Sequence, residues 1–236
     1  MTTISSRKIL KVIYQKLSSA LGPQHWWPAR TRFEVIVGAI LTQNTNWENV
    51  TRALQNLRRH HLLNPQAMKD ISLEHLAALI RSAGYFNVKA RRLKNFTTFL
   101  FLEYGGSLKR MERTNEGPLR AKLLNINGIG PETADSILLY AFDKPVFVVD
   151  AYTKRIFSRH NIVGRDSDYH SIQKIFVDSL KPDRQLFNEY HALIVNTAKN
   201  HCKTKPLCER CPLNELNFEP RYAAYRYTQT QLDWVK

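Results

Sequence analysis

LNINGIGPETADSILLYAFDKPVFVVD, residues 124–150, is the stretch on which the fold turns. Gly128 and Gly130 bracket an apolar Ile129, and a glycine pair so placed permits positive φ and close approach of the backbone to something outside the protein. Pro131 suits a first helical position, where its missing N–H costs nothing, and Glu132 is favourable in a first turn. Ile137, Leu138 and Ala141 give an apolar helical face, with Leu123, Leu124 and Ile126 as a matching apolar end to the element before the turn. The pattern predicts helix, tight turn, helix. Backbone N–H groups of such a turn, feeding a helix N-terminus, form an anion site, and phosphate is the obvious guest. The β-branched run 146–149 follows Pro145 and is short enough for an extended loop. It delivers a carboxylate, Asp150, which also suits the N-cap of a helix beginning at Ala151.

Outward from this stretch the chain reads as helices. Ile9, Leu10, Ile13, Leu17 and Ala20 repeat at amphipathic spacing, and Gly22-Pro23 ends that helix. Residues 33–41 are too apolar for a surface helix and predict a central one. Residues 47–59 make another, with Val50, Ala53, Leu54 and Leu57 facing inward, and residues 73–80 a third, stopped by Gly84. A long basic helix covers 88–104, and residues 105–118 read as loop. After Asp150, helices are predicted to residue 160, over 169–180 and over 185–200. No alternating run predicts a sheet, so the fold class is all-α.

The chain of 236 residues carries 35 Lys and Arg against 20 Asp and Glu, a net charge of +15. A basic surplus of this size attracts polyanions, nucleic acid first among them. No apolar run reaches the ~18 residues of a membrane span, and the N-terminus lacks the apolar core of a signal peptide. An intracellular, cytoplasmic or nucleoid-associated monomer is expected. The three cysteines fall between residues 202 and 211, which does not suggest a secreted disulfide scaffold.

Four ordered motifs then carry a resemblance. LNINGIGPETADSILLYA with KPVFVVDAYTKRIF, FEVIVGAILTQNT, SAGYFNVKARRLKN and the C-terminal cysteines together resemble the endonuclease III superfamily of DNA glycosylases, with its helix-hairpin-helix and its catalytic aspartate loop. The resemblance spans about residues 33–213. It implies two helical domains: a helical barrel over 24–144 containing the hairpin at about 119–142, and a second domain from 1–23 and 145–236, with the family's cleft between such halves.

By that resemblance Asp150 is the catalytic carboxylate. Hydrolysing an N-glycosidic bond builds oxocarbenium character on the sugar, which a carboxylate stabilises directly or by activating water. Family members that also cut the backbone carry a lysine on the hairpin, whose amine forms a Schiff base. Glu132 stands at that position here, and Lys144, the nearest lysine, lies beyond the helix. A water nucleophile is therefore expected. Trp26, Trp27 and Pro28 look most like the 3-methyladenine glycosylase branch, where an aromatic surface holds a cationic flipped base; two tryptophans plugging the core is the plain alternative. Gln43 matches the family's wedge, with Asn44 beside it, and either amide also reads as a simple helix end. Tyr85, Phe86 and Asn87 match a loop near the DNA. Lys89, Arg91 and Arg92, with Gly128, Ile129 and Gly130, would meet phosphates, although a solvated basic face explains such a run equally well.

Cys202, Cys208 and Cys211 resemble the family's [4Fe–4S] loop, which uses four cysteines. Asn217 stands near the fourth position, and His201 is a candidate replacement. A [4Fe–4S] cluster is the expected cofactor; a labile three-cysteine cluster, a Cys3His zinc site and a loop that binds nothing remain open. The resulting expectation is a monofunctional glycosylase of base excision repair that flips and excises alkylated bases, 3-methyladenine foremost, from duplex DNA. The alternatives are a bifunctional glycosylase/AP lyase acting on oxidised pyrimidines, and a non-catalytic protein that binds damaged DNA.

Overall fold

The computed structural model describes residues 6–24, 26, 27 and 29–216, and every described element is helical. The chain divides into two compact units, one of residues 27–144 and the other of residues 1–26 with 145–236. No described helix is long and apolar enough to cross a membrane.

The 27–144 unit is built around α2 (Arg32–Leu41). Thr31 caps it by accepting from the Glu34 N–H at 3.1 Å, and each residue from Phe33 to Leu41 is buried, as an all-round apolar sequence requires. Around it run α3 (Trp47–Arg59), α4 (Pro65–Asp70), α5 (Leu73–Leu79), a 3-10 turn (Arg81–Ala83) and α6 (Phe86–Tyr104). On α3 the four residues expected inside, Val50, Ala53, Leu54 and Leu57, are 0, 0, 4 and 0% exposed.

The segment 105–118 is not one loop. Ser107 accepts from the Arg110 N–H and starts α7 (Leu108–Glu112), and α8 (Glu116–Leu124) begins before Pro118. Pro118 sits in the first turn of α8, where an N–H has no helical partner, so proline does not stop the helix there.

After the hairpin turn, α9 (Pro131–Ser136) passes into a π-helical turn, Ile137–Ala141, which periodicity did not signal. Arg120 on α8 ties the two arms together: its Nε donates to Asp135 Oδ1 at 2.6 Å and its Nη2 to Oδ2 at 3.0 Å, with Asp135 fully buried. A two-point guanidinium–carboxylate pair fixes angle as well as distance.

The other unit packs α1 (Ser6–Leu21) against α11 (Tyr169–Ser179) and α12 (Arg184–Asn200), with α10 (Ala151–Arg159) also on α12. Leu10, Ile13 and Leu17 of α1 are 0, 1 and 0% exposed, and each such side chain contributes about 1.5–3 kcal/mol through burial. Residues 146–149 form neither helix nor strand, as expected of a loop, and are buried. Phe147 stacks on Phe176 at 3.6 Å between centroids and meets Phe187 edge-on, while its carbonyl accepts from Gln173 Nε2 at 2.7 Å. Anchored this way, the segment presents Asp150 at a fixed place.

Candidate active site

Asp150 is the N-cap of α10. One carboxylate oxygen, Oδ1, accepts from both the Thr153 N–H at 2.7 Å and the Thr153 hydroxyl at 2.9 Å. The other, Oδ2, lies 3.5 Å from Nε2 of His191, and the two side chains are 12 and 7% exposed. Burial pushes the Asp150 carboxyl up, but the nearby His191 and the two Thr153 bonds outweigh it, so its ionisation falls below the ordinary carboxylate value. Capping and a poised anion thus coexist in one side chain. His191 was not among the sequence candidates. Its position was legible as core, because Phe187, His191, Ile194 and Ala198 form one buried stripe of α12.

On the hairpin, Gly128 has φ +93°, as the turn demands. The close approach that the glycine permits is internal: a Cβ at Gly128 would come within 2.8 Å of Cδ and Nε of Arg92. A Cβ at Gly130 would meet open space, and Ile129 is buried at 4% exposure with its N–H on the Ile126 carbonyl. Glu132 is exposed in the first turn of α9. Lys144 is committed elsewhere, its Nζ donating to the Glu112 carbonyl at 3.0 Å.

Gln43 joins the hairpin to two helices. Its Nε2 donates to the Gly128 carbonyl at 3.0 Å and to the Thr133 hydroxyl at 2.8 Å, and its Oε1 accepts from Arg92 Nη1. Arg92 therefore serves the protein interior as well as any phosphate. Asn44, exposed, has φ +52°, and Tyr85, 71% exposed, has φ +46° at the N-cap of α6. Asparagine tolerates that region; for tyrosine it is a strained conformation. Phe86 is half-buried under the Arg81 guanidinium, 5.4 Å from its ring, and Asn87 is exposed.

Lys89 is a clear correction. It is 1% exposed, and its Nζ donates to the Leu41 carbonyl at 2.8 Å and the Ala83 carbonyl at 2.7 Å, so it holds two helix ends and meets no phosphate. The stripe Lys89, Leu93, Phe96 and Leu100, all buried, carried that signal within the basic run. Arg91 is exposed.

The tryptophans part company. Trp27 belongs to the 27–144 unit and lies on Gly38 of α2, whose added Cβ would sit 3.3 Å from Trp27 Cζ2. Its ring meets Trp47 edge-on at 5.0 Å and Tyr140 at 4.9 Å. All three rings are half-buried, so they form an aromatic cluster reaching the surface. Trp47 and Tyr140 were missed because one opens a helix and the other sits in the unanticipated π turn. Trp26 belongs to the other unit, with Lys199 Nζ 5.8 Å from its ring. Pro28 lies outside the described residues.

The cysteine loop has donors of the right type but not a closed set. Burial raises the Cys211 thiol, and Cys202 and Cys208 raise it further. Arg159 donates to Cys202 Sγ at 3.1 Å and to the carbonyls of Lys203 and Thr204 at 2.6 and 3.0 Å. Among the described residues, however, no three His, Cys, Asp or Glu side chains converge at metal-binding distance, and His201 does not complete a site. Asn217 lies outside the described residues.

Residues 37–182 match the HhH-GPD superfamily of base excision DNA repair proteins. The chain belongs to that family. It is 50% identical over 205 residues to a Methanocaldococcus jannaschii protein named provisionally as a DNA repair glycosylase, covering 86% of this chain and 93% of the relative. A solved structure of the H. pylori 3-methyladenine DNA glycosylase MagIII, bound to 1,N6-ethenoadenine, aligns with TM-score 0.71 at 30% identity over 83% of this chain and 98% of that one. An endonuclease III–DNA complex aligns at 0.78 with 22% identity, over 92 and 96% of the two chains, and shares the all-α fold. HhH-GPD membership and these relatives make the chain a DNA glycosylase, an enzyme acting on N-glycosyl bonds.

Proposed function

We propose that this HhH-GPD glycosylase is monofunctional and excises alkylated purines, 3-methyladenine foremost, from duplex DNA. The observation that carries the reading is Glu132. A carboxylate occupies the exposed first-turn position of α9, where the lyase chemistry of the superfamily needs an amine, and the Lys144 amine is held by the Glu112 carbonyl. Water is then the nucleophile.

In the proposed reaction the basic surface captures DNA, and the hairpin turn holds the backbone near the lesion. The damaged base is flipped and read by stacking on aromatic surface, for which the Trp27, Trp47 and Tyr140 cluster and Trp26 are the candidates. The C1′–N bond breaks with its electron pair leaving on the base. A methylated purine is cationic and departs neutral, which removes the need for a strong general acid. The buried Asp150 carboxylate stabilises the oxocarbenium charge, and water adds to C1′ while giving up a proton to solvent. The likeness to MagIII supports the alkyl-base reading.

A [4Fe–4S] cluster on the 202–211 loop is the finer cofactor reading. It is supported by the sequence spacing of Cys202, Cys208 and Cys211 and requires a fourth ligand beyond the three cysteines. Iron, sulfide and zinc analysis of anaerobically purified protein decides among cluster, zinc and no metal.

The functional test is release of free base from methylated duplex DNA, with borohydride added in a parallel reaction. Release of 3-methyladenine without a trapped protein–DNA adduct is expected. A trapped adduct overturns the water nucleophile, and DNA binding without base release overturns the enzymatic reading of this site.

A further inference from the structure

The buried contact between Asp150 and His191 is not explained by capping. Thr153 satisfies one carboxylate oxygen twice over, while the second faces an imidazole nitrogen 3.5 Å away on another helix. Both side chains are nearly enclosed, and His191 lies on the core stripe of α12, where an apolar residue would pack without a buried polar atom to accommodate. We propose that His191 is a positioning residue for the excision reaction: its imidazole aims the free oxygen of Asp150 and, by its protonation state, sets the net charge that the pair presents to the oxocarbenium sugar. The inference rests on the reading of Asp150 as the carboxylate of that reaction.

The charge argument is simple. With a neutral imidazole the pair carries one negative charge, which favours a developing sugar cation. With an imidazolium it carries none, and the stabilisation falls. Excision should therefore be faster where the imidazole is neutral than where it is charged. Besides His191, α12 carries Arg184, Glu189, Tyr190 and Lys199, while of the helices packed on it α10 carries Tyr152, Lys154, Arg155 and Arg159 and α1 carries Arg7, Lys8, Lys11, Tyr14 and Lys16. Arg155 donates to the Ala198 carbonyl at 3.3 Å, Tyr190 donates to the Leu10 carbonyl at 2.9 Å, and Tyr14 meets Tyr190 edge-on at 5.3 Å. Asp150 stands at ion-pair distance from the imidazole.

Three variants test this in the full chain: Asp150→Asn, His191→Phe and His191→Asn. Single-turnover release of 3-methyladenine is followed from pH 5.5 to 8.5, alongside DNA affinity and circular dichroism. His191→Phe is expected to bind DNA as the wild type does and to lose about 10²-fold in rate, the scale set by misplacing a reacting group by about 1 Å. His191→Asn, which keeps an N–H donor but cannot titrate, should recover much of the rate and lose the pH dependence that the imidazole charge gives the wild type. If Asp150→Asn abolishes excision while both His191 variants keep the wild-type rate and pH profile, the positioning role is wrong and the Asp150 reading stands. If Asp150→Asn still excises, the underlying reading fails. Loss of fold or DNA binding in His191→Phe, without recovery in His191→Asn, makes His191 a structural residue and overturns the proposal.

Discussion

Arg92 lies against Gly128 so closely that the hairpin turn has no room for a side chain: a Cβ there would approach the arginine Cδ and Nε to 2.8 Å. The same guanidinium donates to Gln43, whose amide grips the Gly128 carbonyl. Turn, wedge candidate and basic helix are therefore one mechanical unit.

Gly128→Ala should consequently destabilise the protein twice over, through positive φ and through overlap with Arg92. A loss of about 2–4 kcal/mol is expected from strain plus overpacking. Adding Arg92→Ala should recover the overlap share and leave the φ share. A thermal or urea melt of the double-mutant cycle reads both, and strict additivity would contradict the contact.

Lys89→Met should cost about 1–3 kcal/mol by stranding two carbonyls at helix ends. Burial, and then the Arg92 charge, lower the Lys89 ammonium to about 8. The unfolded lysine titrates near 10.4, so between those values the unfolded chain holds more protons and folding stability from this group rises with pH. The gap between wild type and variant should widen from pH 8 to 10 in denaturant titrations.

Asp150 has linkage of the same sign in a lower pH window. Its folded carboxyl ionises below the unfolded value, so its stabilisation is complete above about pH 4 and disappears as pH falls through the folded value. Asp150→Asn, which still caps a helix, should unfold less steeply than the wild type in acid below about pH 4. A circular-dichroism acid titration measures it.

Arg91→Ala should weaken DNA binding evenly across sequences and lower the slope of log K against log salt by about one phosphate contact. Lys89→Met should leave that slope unchanged at pH 7, since its ammonium is enclosed. Affinities at several salt concentrations separate the two.

The helices were legible where caps and apolar spacing coincide. The unbroken apolar run 33–41 foretold a buried central helix, and the inward residues of α3 were named correctly. Pro118 and the polar residues around it misled, because a proline in a first turn looks like a breaker in sequence. The family and its glycosylase activity were readable from motif order. Which cation is buried was not, since Lys89 and Arg91 differ by two positions in one basic run and only the helical stripe separates them. The His191 contact was beyond reach for another reason. It joins residues 41 positions apart, and a histidine on an apolar stripe carries no mark of its partner.

Asp150 also illustrates a loss of rotational freedom. A free carboxylate flips, and its two oxygens exchange roles. Here Oδ1 is tethered to an N–H and a hydroxyl of the same residue, Thr153, so the flip is arrested and the oxygens become chemically distinct. One belongs to the helix for good. The other keeps a constant heading, and on the proposed role for Asp150 a charge already aimed would need no reorientation as the sugar cation forms.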